Sequence, residues 1–124
     1  MEHAIRLLLV EDNQVFREGL ELVLGLESEI EIVGMAEDGV EGVDLARELR
    51  PDVALIDYRL PLLDGVATTA AVRTESPGTA VIGLTASDDP RERRALSEAG
   101  AVDCLSKDDD LAEIFASIRN AAWS

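Results

Sequence analysis

The chain has very few of the residues that most enzymes use for chemistry. Cys104 is the only cysteine and His3 the only histidine among 124 residues. One cysteine excludes an internal disulfide and a thiolate cluster for zinc or iron. A Ser-His-Asp or Cys-His machine would have to use His3, which lies in the N-terminal tail ahead of the first apolar run. Long apolar runs are also missing. None approaches the roughly 20 residues of a spanning helix, and the N-terminus has neither the basic start nor the apolar stretch of a signal peptide, so a cytoplasmic protein without membrane contact is expected. Positive charge is scarce as well, with 11 Lys+Arg against 26 Asp+Glu and a net charge of −15. That sign opposes approach to nucleic acid phosphates or anionic lipid, and no direct nucleic-acid binding by this chain is expected. The cations are ten arginines and a single lysine, Lys107.

What the chain does have is 47% hydrophobic residues, enough for the core of one domain over 1–124. Strand patterns fall near 5–10, 30–36, 53–57, 80–85 and 103–106, with helical patterns between them. Val15, Phe16, Gly19, Leu20, Val23 and Leu24 recur at three-and-four spacing, as do Val40, Val43 and Leu45-Ala46. Val66, Ala70 and Val72-Arg73 repeat it less strongly, and Leu111, Ile114-Phe115 and Ile118 close the series. Arg50-Pro51-Asp52 ends the second helix, and Pro61 with Gly65 shapes the loop after Asp57. Asp89-Pro90 opens the fourth helix, with Glu92 placed to complete a capping box.

Five βα units result. The first, third and fourth strands are continuous apolar runs, as parallel strands covered on both faces are, whereas Glu29-Ile30-Glu31-Ile32 alternates and marks an edge. Right-handed crossovers then favour an α/β fold: a five-stranded parallel sheet of order 2-1-3-4-5, doubly wound as (βα)5 in the flavodoxin-like manner.

Two of the buried strands stop on carboxylates. Leu7-Leu8-Leu9-Val10 runs into Glu11-Asp12, and Val53-Ala54-Leu55-Ile56 into Asp57. For any single acid in so acidic a chain, a solvated cap is the simpler explanation. Converging carboxylates at strand ends are different, because they repel unless a cation offsets them, and the predicted order brings the three to one crevice at the switch point. The same strand ends carry Thr85 and Lys107. Three carboxylates, one hydroxyl and one ammonium suit phosphoryl transfer to a carboxylate, with Asp57 as nucleophile and Thr85 and Lys107 on the transferring oxygens. Hard, sparse oxygen ligands point to Mg²⁺ on Asp12 and Asp57, with Glu11 acting through water and a backbone carbonyl near Arg59 as a further donor. Neither GxxxxGK[ST] nor GxGxxG is present.

In these segments the chain resembles the response-regulator receiver domains of bacterial two-component signalling. The carriers are Leu9-Val10-Glu11-Asp12-Asn13, Arg17-Glu18-Gly19-Leu20, Pro51-Asp52-Val53-Ala54-Leu55-Ile56-Asp57, Leu60-Pro61 with Asp64-Gly65, Leu84-Thr85-Ala86, and Gly100-Ala101 leading to Lys107. The resemblance implies that Asp57 is the phosphoacceptor, that Glu11 and Asp12 form the Mg²⁺ pocket, and that Thr85 and Lys107 meet the phosphoryl group. It implies a sensor histidine kinase or phosphotransfer protein as donor, and a homodimer on phosphorylation as one output. Arg-Glu-Gly-Leu and Lys107-Asp108 look like the NarL/LuxR-type subgroup, whose receivers usually precede a helix-turn-helix domain. No output domain is expected within this chain.

Two positions depart from the pattern. Cys104 stands where relatives commonly have Tyr or Phe, and Leu62 replaces a frequent glycine, so the switch pair here reads as Thr85 with Cys104. Two rivals follow from the same residues. An aspartate-nucleophile phosphatase would need Asp-x-Asp, and Arg59 occupies that second place. A receiver that is never phosphorylated would serve as a constitutive adaptor, although all five site positions are filled. The expected protein is therefore a self-modifying switch and not a turnover enzyme.

Overall fold

The computed structural model describes residues 3–123. Five strands alternate with five helices: β1 (Ile5–Val10), α1 (Gln14–Gly25), β2 (Ile30–Ala36), α2 (Gly39–Leu49), β3 (Val53–Asp57), α3 (Gly65–Glu75), β4 (Ala80–Thr85), α4 (Pro90–Ala99), β5 (Asp103–Ser106) and α5 (Leu111–Trp123). All pairings are parallel and the order is β2-β1-β3-β4-β5, as expected. Among the described residues, no helix is long and apolar enough to cross a membrane.

The strands' alternation sorts the core into two layers, because successive side chains point to opposite faces. Leu7, Leu9, Val53, Leu55, Ile82 and Leu84 join Leu20 and Leu24 of α1 and Ile114, Phe115 and Ile118 of α5. Leu8, Val10, Ala54, Ile56 and Val81 join Val43 and Ala46 of α2 and Val72 of α3. Helix α4 lies on this second face, since a Cβ added at Gly83 would meet Leu96. Burying such a side chain is worth about 1.5–3 kcal/mol, so a slip of one residue in any central strand would forfeit several of them.

Side-chain caps hold the helix starts, at Asp89 as the sequence predicts and at three further positions. Asn13, Asp38, Asp64 and Asp89 each accept a backbone N–H from the first turn. Gly65 is required by close approach: a Cβ there would strike the backbone of Asp57 and Tyr58. Leu62 adopts a left-handed conformation with φ 69°, which explains why glycine suits that position, since a side chain is strained there.

Some expectations change. The capping box on α4 is not formed, because Asp89 N donates to Ser87 Oγ and the Glu92 carboxylate turns to Arg59, 3.6 Å away. Val15 and Gly19 share the apolar spacing of α1 but face outward, and the inward phase is Arg17, Leu20 and Leu24. In α3 the buried positions are Gly65, Thr68, Thr69 and Val72, while Ala70 is exposed. Threonines one turn from an apolar residue carry little hydropathy signal, so the inward face of α3 shows only weakly in the sequence.

Candidate functional site

The crevice beyond β1 and β3 collects the acids. One carboxylate oxygen each from Glu11, Asp12 and Asp57 lies within 4.8 Å of the others. Glu11 and Asp57 are buried, at 1% and 4% exposure, and Asp12 faces solvent. Alternation continued past β1 and β3 puts positions 11 and 57 in phase with Leu9 and Leu55, facing the layer of α1 and α5. Lys107, two residues beyond Leu105, reaches into that layer. Its Nζ stands 2.7 Å from Glu11 Oε1 and donates to Asp57 Oδ2 at 3.2 Å, with the Phe16 ring 4.8 Å beneath it.

The charges in this crevice are incompletely compensated. Burial pushes the Glu11 carboxyl above its ordinary range, with the Asp57 charge adding to the effect and Lys107 and the Asn13 N–H opposing it. Burial would lower Lys107, but Glu11 and Asp57 outweigh it and the ammonium is held above its usual value. Glu11 Oε2 accepts from Asn13 N at 3.0 Å. Oε1 is buried without a well-directed hydrogen bond, and its close partner is Lys107 Nζ in an ion-pair contact at 2.7 Å. A buried carboxylate oxygen left in that state, beside two more carboxylates, is a donor set that fits a small hard cation.

Thr85 is fully buried at the end of β4, and its hydroxyl donates to Ser87 O at 2.9 Å, turned into the following loop. The strand ends are tied together: Tyr58 N donates to Leu84 O and Lys107 N to Thr85 O, both at 2.8 Å. Arg59 lines a cleft of about 410 Å³ with Asp12, Tyr58, Leu60, Pro61, Asp64 and Val66. Its guanidinium is directed away to Glu92 on α4. Cys104 pairs with Gly83 across β4 and β5, so it shares the α4 face with Thr85. It is half-buried, burial raises its thiol, and its carbonyl accepts from Arg93 Nη1 at 2.8 Å.

The fold thus gathers Glu11, Asp12, Asp57 and Lys107 directly, sets Thr85 one strand away, and leaves Cys104 further along the α4 side. Residues beneath the site that the pattern of acids did not reveal are Phe16, under Lys107, and Arg17, whose Nη1 donates to Glu11 O at 2.7 Å. The signal for Arg17 was its phase, three and seven residues before Leu20 and Leu24.

Residues 7–119 match the response regulator receiver domain family. The chain is 40% identical over 118 residues to the transcriptional regulatory protein LiaR of Bacillus subtilis, covering 95% of this chain and 56% of that protein. It superposes on the signal receiver domain of the response regulator NarL from Mycobacterium tuberculosis with a TM-score of 0.93, at 35% identity and 98% coverage of both chains. A TM-score of 0.83, at 31% identity, relates it to the receiver domain of sensor histidine kinase PA1611 from Pseudomonas aeruginosa, covering 98% of this chain and all of that one; that structure has a magnesium ion coordinated in its active site cleft. The chain spans about half the length of the curated relatives it matches. An acidic crevice at the switch point, a lysine across it and likeness in sequence and shape along nearly the whole length agree, and the chain belongs to the response regulator receiver domain family, with NarL and LiaR regulators among its curated relatives.

Proposed function

We propose that Asp57 is the phosphoacceptor and that Glu11, Asp12 and Asp57 hold Mg²⁺, with a backbone carbonyl at Arg59 as a further donor. The observation that carries this reading is Lys107 Nζ lying between the two buried carboxylates, 2.7 Å from Glu11 and 3.2 Å from Asp57. A lysine so placed orients Asp57 and offers its charge to an incoming phosphoryl oxygen. Accepting a phosphoryl group is the standard role of the family. Bound Mg²⁺ would offset the negative charge of the acids and of that group.

In the proposed reaction an Asp57 carboxylate oxygen bonds to phosphorus while the P–N bond of a phosphohistidine on a sensor kinase or phosphotransfer protein breaks, the electron pair leaving with the imidazole nitrogen. Water later attacks phosphorus and releases inorganic phosphate, restoring the carboxylate. Lys107 holds one phosphoryl oxygen. Thr85 reaches another by giving up its bond to Ser87 O, which couples the modification to the loop before α4. Each acceptor is used once per signal, so the chain is a switch and not a turnover enzyme. We assign the whole of 1–124 to this one receiver domain, acting in the cytoplasm with the kinase, and take dimerisation on phosphorylation as one output.

Intact-mass measurement after treatment with a small phosphodonor and Mg²⁺ tests the assignment. The wild type gains one phosphoryl group and Asp57→Asn gains none, because the amide keeps the shape but is a poor nucleophile. Undiminished phosphorylation of Asp57→Asn would overturn the assignment. A wild type that takes up no phosphoryl group would favour the adaptor.

A further inference from the structure

We propose that Arg17 is a positioning residue that sets the affinity of the acidic cluster for its cation by fixing the backbone of the Glu11–Asp12 turn. The proposal rests on the reading of that cluster as a Mg²⁺ site. Arg17 occupies the core-facing phase of α1 with Leu20 and Leu24, and its side chain is 9% exposed. A guanidinium there is tolerated only if its donors are used. Nη1 donates to the Glu11 carbonyl at 2.7 Å in a buried bond, and Nη2 donates to Glu37 Oε1 at 3.0 Å.

The two partners are unequal. The Glu37 side chain is 72% exposed, so its pairing with Arg17 is screened by water and weak. The bond to Glu11 O is charge-assisted and buried, which makes it the stronger of the two. It also completes the fixation of Glu11, whose N donates to Ala36 O at 3.0 Å and whose Oε2 accepts from Asn13 N at the same distance. Asp12 lies exposed between these pinned neighbours, so the turn is what presents its carboxylate. Arg17 therefore acts on the cation through the backbone, while Lys107 acts on the carboxylates themselves. Partners that orient metal ligands from behind typically change affinity by about 10–100-fold when removed.

The test follows Mg²⁺ titrations of this chain by the backbone amide shifts of residues 11–13, alongside urea unfolding. Arg17→Met keeps the buried stem and removes both donors, and the half-saturating Mg²⁺ concentration should rise by about 10-fold. Glu37→Gln should stay within about 2-fold, because the exposed pair contributes little. Arg17→Lys keeps the charge on a single donor nitrogen and should fall between the two. With a small phosphodonor, the Mg²⁺ requirement of Arg17→Met should rise more than its maximal rate falls. A merely structural arginine would lower the urea midpoint and leave the half-saturation of the folded protein unchanged, and that result would overturn the proposal. So would a Glu37→Gln variant as impaired as Arg17→Met. If Arg17→Met does not fold, Arg17→Lys decides, by a raised or an unchanged half-saturation. A wild type without any Mg²⁺ response overturns the metal reading itself, and that failure is distinct from a responding wild type whose Arg17 variants respond equally.

Discussion

The two ends of the sheet both bury polar groups, and they do so in opposite ways. At the amino-terminal end Arg6 N donates to Asp52 Oδ2, and Arg6 Nη1 donates to Leu49 O and Arg50 O at 2.8 and 3.0 Å. Thr79 Oγ1 donates to Pro51 O and is bonded to Ser76 Oγ, both at 2.7 Å, while Arg73 closes the Thr79 carbonyl. Each donor there meets an acceptor, and backbone carbonyls absorb most of the charge. At the carboxyl-terminal end three carboxylates converge on one ammonium, and a buried Glu11 oxygen lacks a well-directed bond. A satisfied cluster adds stability and has nothing left to offer a ligand. An unsatisfied one gives up stability and keeps its binding capacity.

The largest effect should come from removing the cation that the second end depends on. Lys107→Ala leaves two buried carboxylates uncompensated and should destabilise the Mg²⁺-free protein by about 3 kcal/mol. Added Mg²⁺ should recover much of that loss. Urea unfolding with and without Mg²⁺ measures both, and a variant as stable as wild type without metal would show that the acids do not burden the fold. Phosphorylated Lys107→Ala should also fail to show the full amide shifts of the activated state.

At the satisfied end, Thr79→Val strands Pro51 O and Ser76 Oγ and should lower stability by about 1–3 kcal/mol. Phosphorylation rates in saturating Mg²⁺ should not change. An altered rate would break the division between the two ends.

Smaller is the pH effect of Glu11. Its carboxyl is raised in the folded protein relative to 4.5, so the folded state retains the proton longer than the unfolded chain. Stability of the metal-free protein should therefore fall as pH rises from about 4.5 through the raised folded value, and then level off. Glu11→Gln should remove that slope, and Mg²⁺ should reduce it in wild type. Denaturation midpoints across this pH range decide the matter. A wild-type stability that rose through the same window would contradict the burial argument.

The smallest expected effect concerns Cys104, which lies on the α4 face with Thr85 but is too small to exchange volume with it. Amide shifts induced by beryllofluoride should stay largely within 85–89, and Cys104→Tyr should extend them over α4 and β5. Large shifts throughout 90–120 in the unsubstituted chain would show that Cys104 does not limit the response.

Most of the fold was legible because its signals are local. Apolar runs, acidic caps and Pro-Gly turns depend on a few neighbouring residues, and parallel strands covered on both faces leave long hydrophobic stretches. The roles of Arg17 and Glu92 are not legible for the opposite reason. An arginine or glutamate is solvated by default, and its partner on another element is not visible in the local pattern: Glu11 O for the one, Arg59 for the other. The threonines of α3 look polar in sequence because of their hydroxyls, though Thr68 Oγ1 donates to Leu63 O within the fold.

By itself the sequence determined the five βα units, the edge position of β2 and the set of acids, hydroxyl and lysine at strand ends, since periodicity and capping act over a few residues. Tertiary structure alone decided that Lys107 reaches both Glu11 and Asp57, that Thr85 is turned to Ser87, and that Arg17 holds the turn from behind. The two Lys107 contacts join residues 50 and 96 positions apart. Their distances depend on strand register and crossover geometry, and no local pattern encodes them.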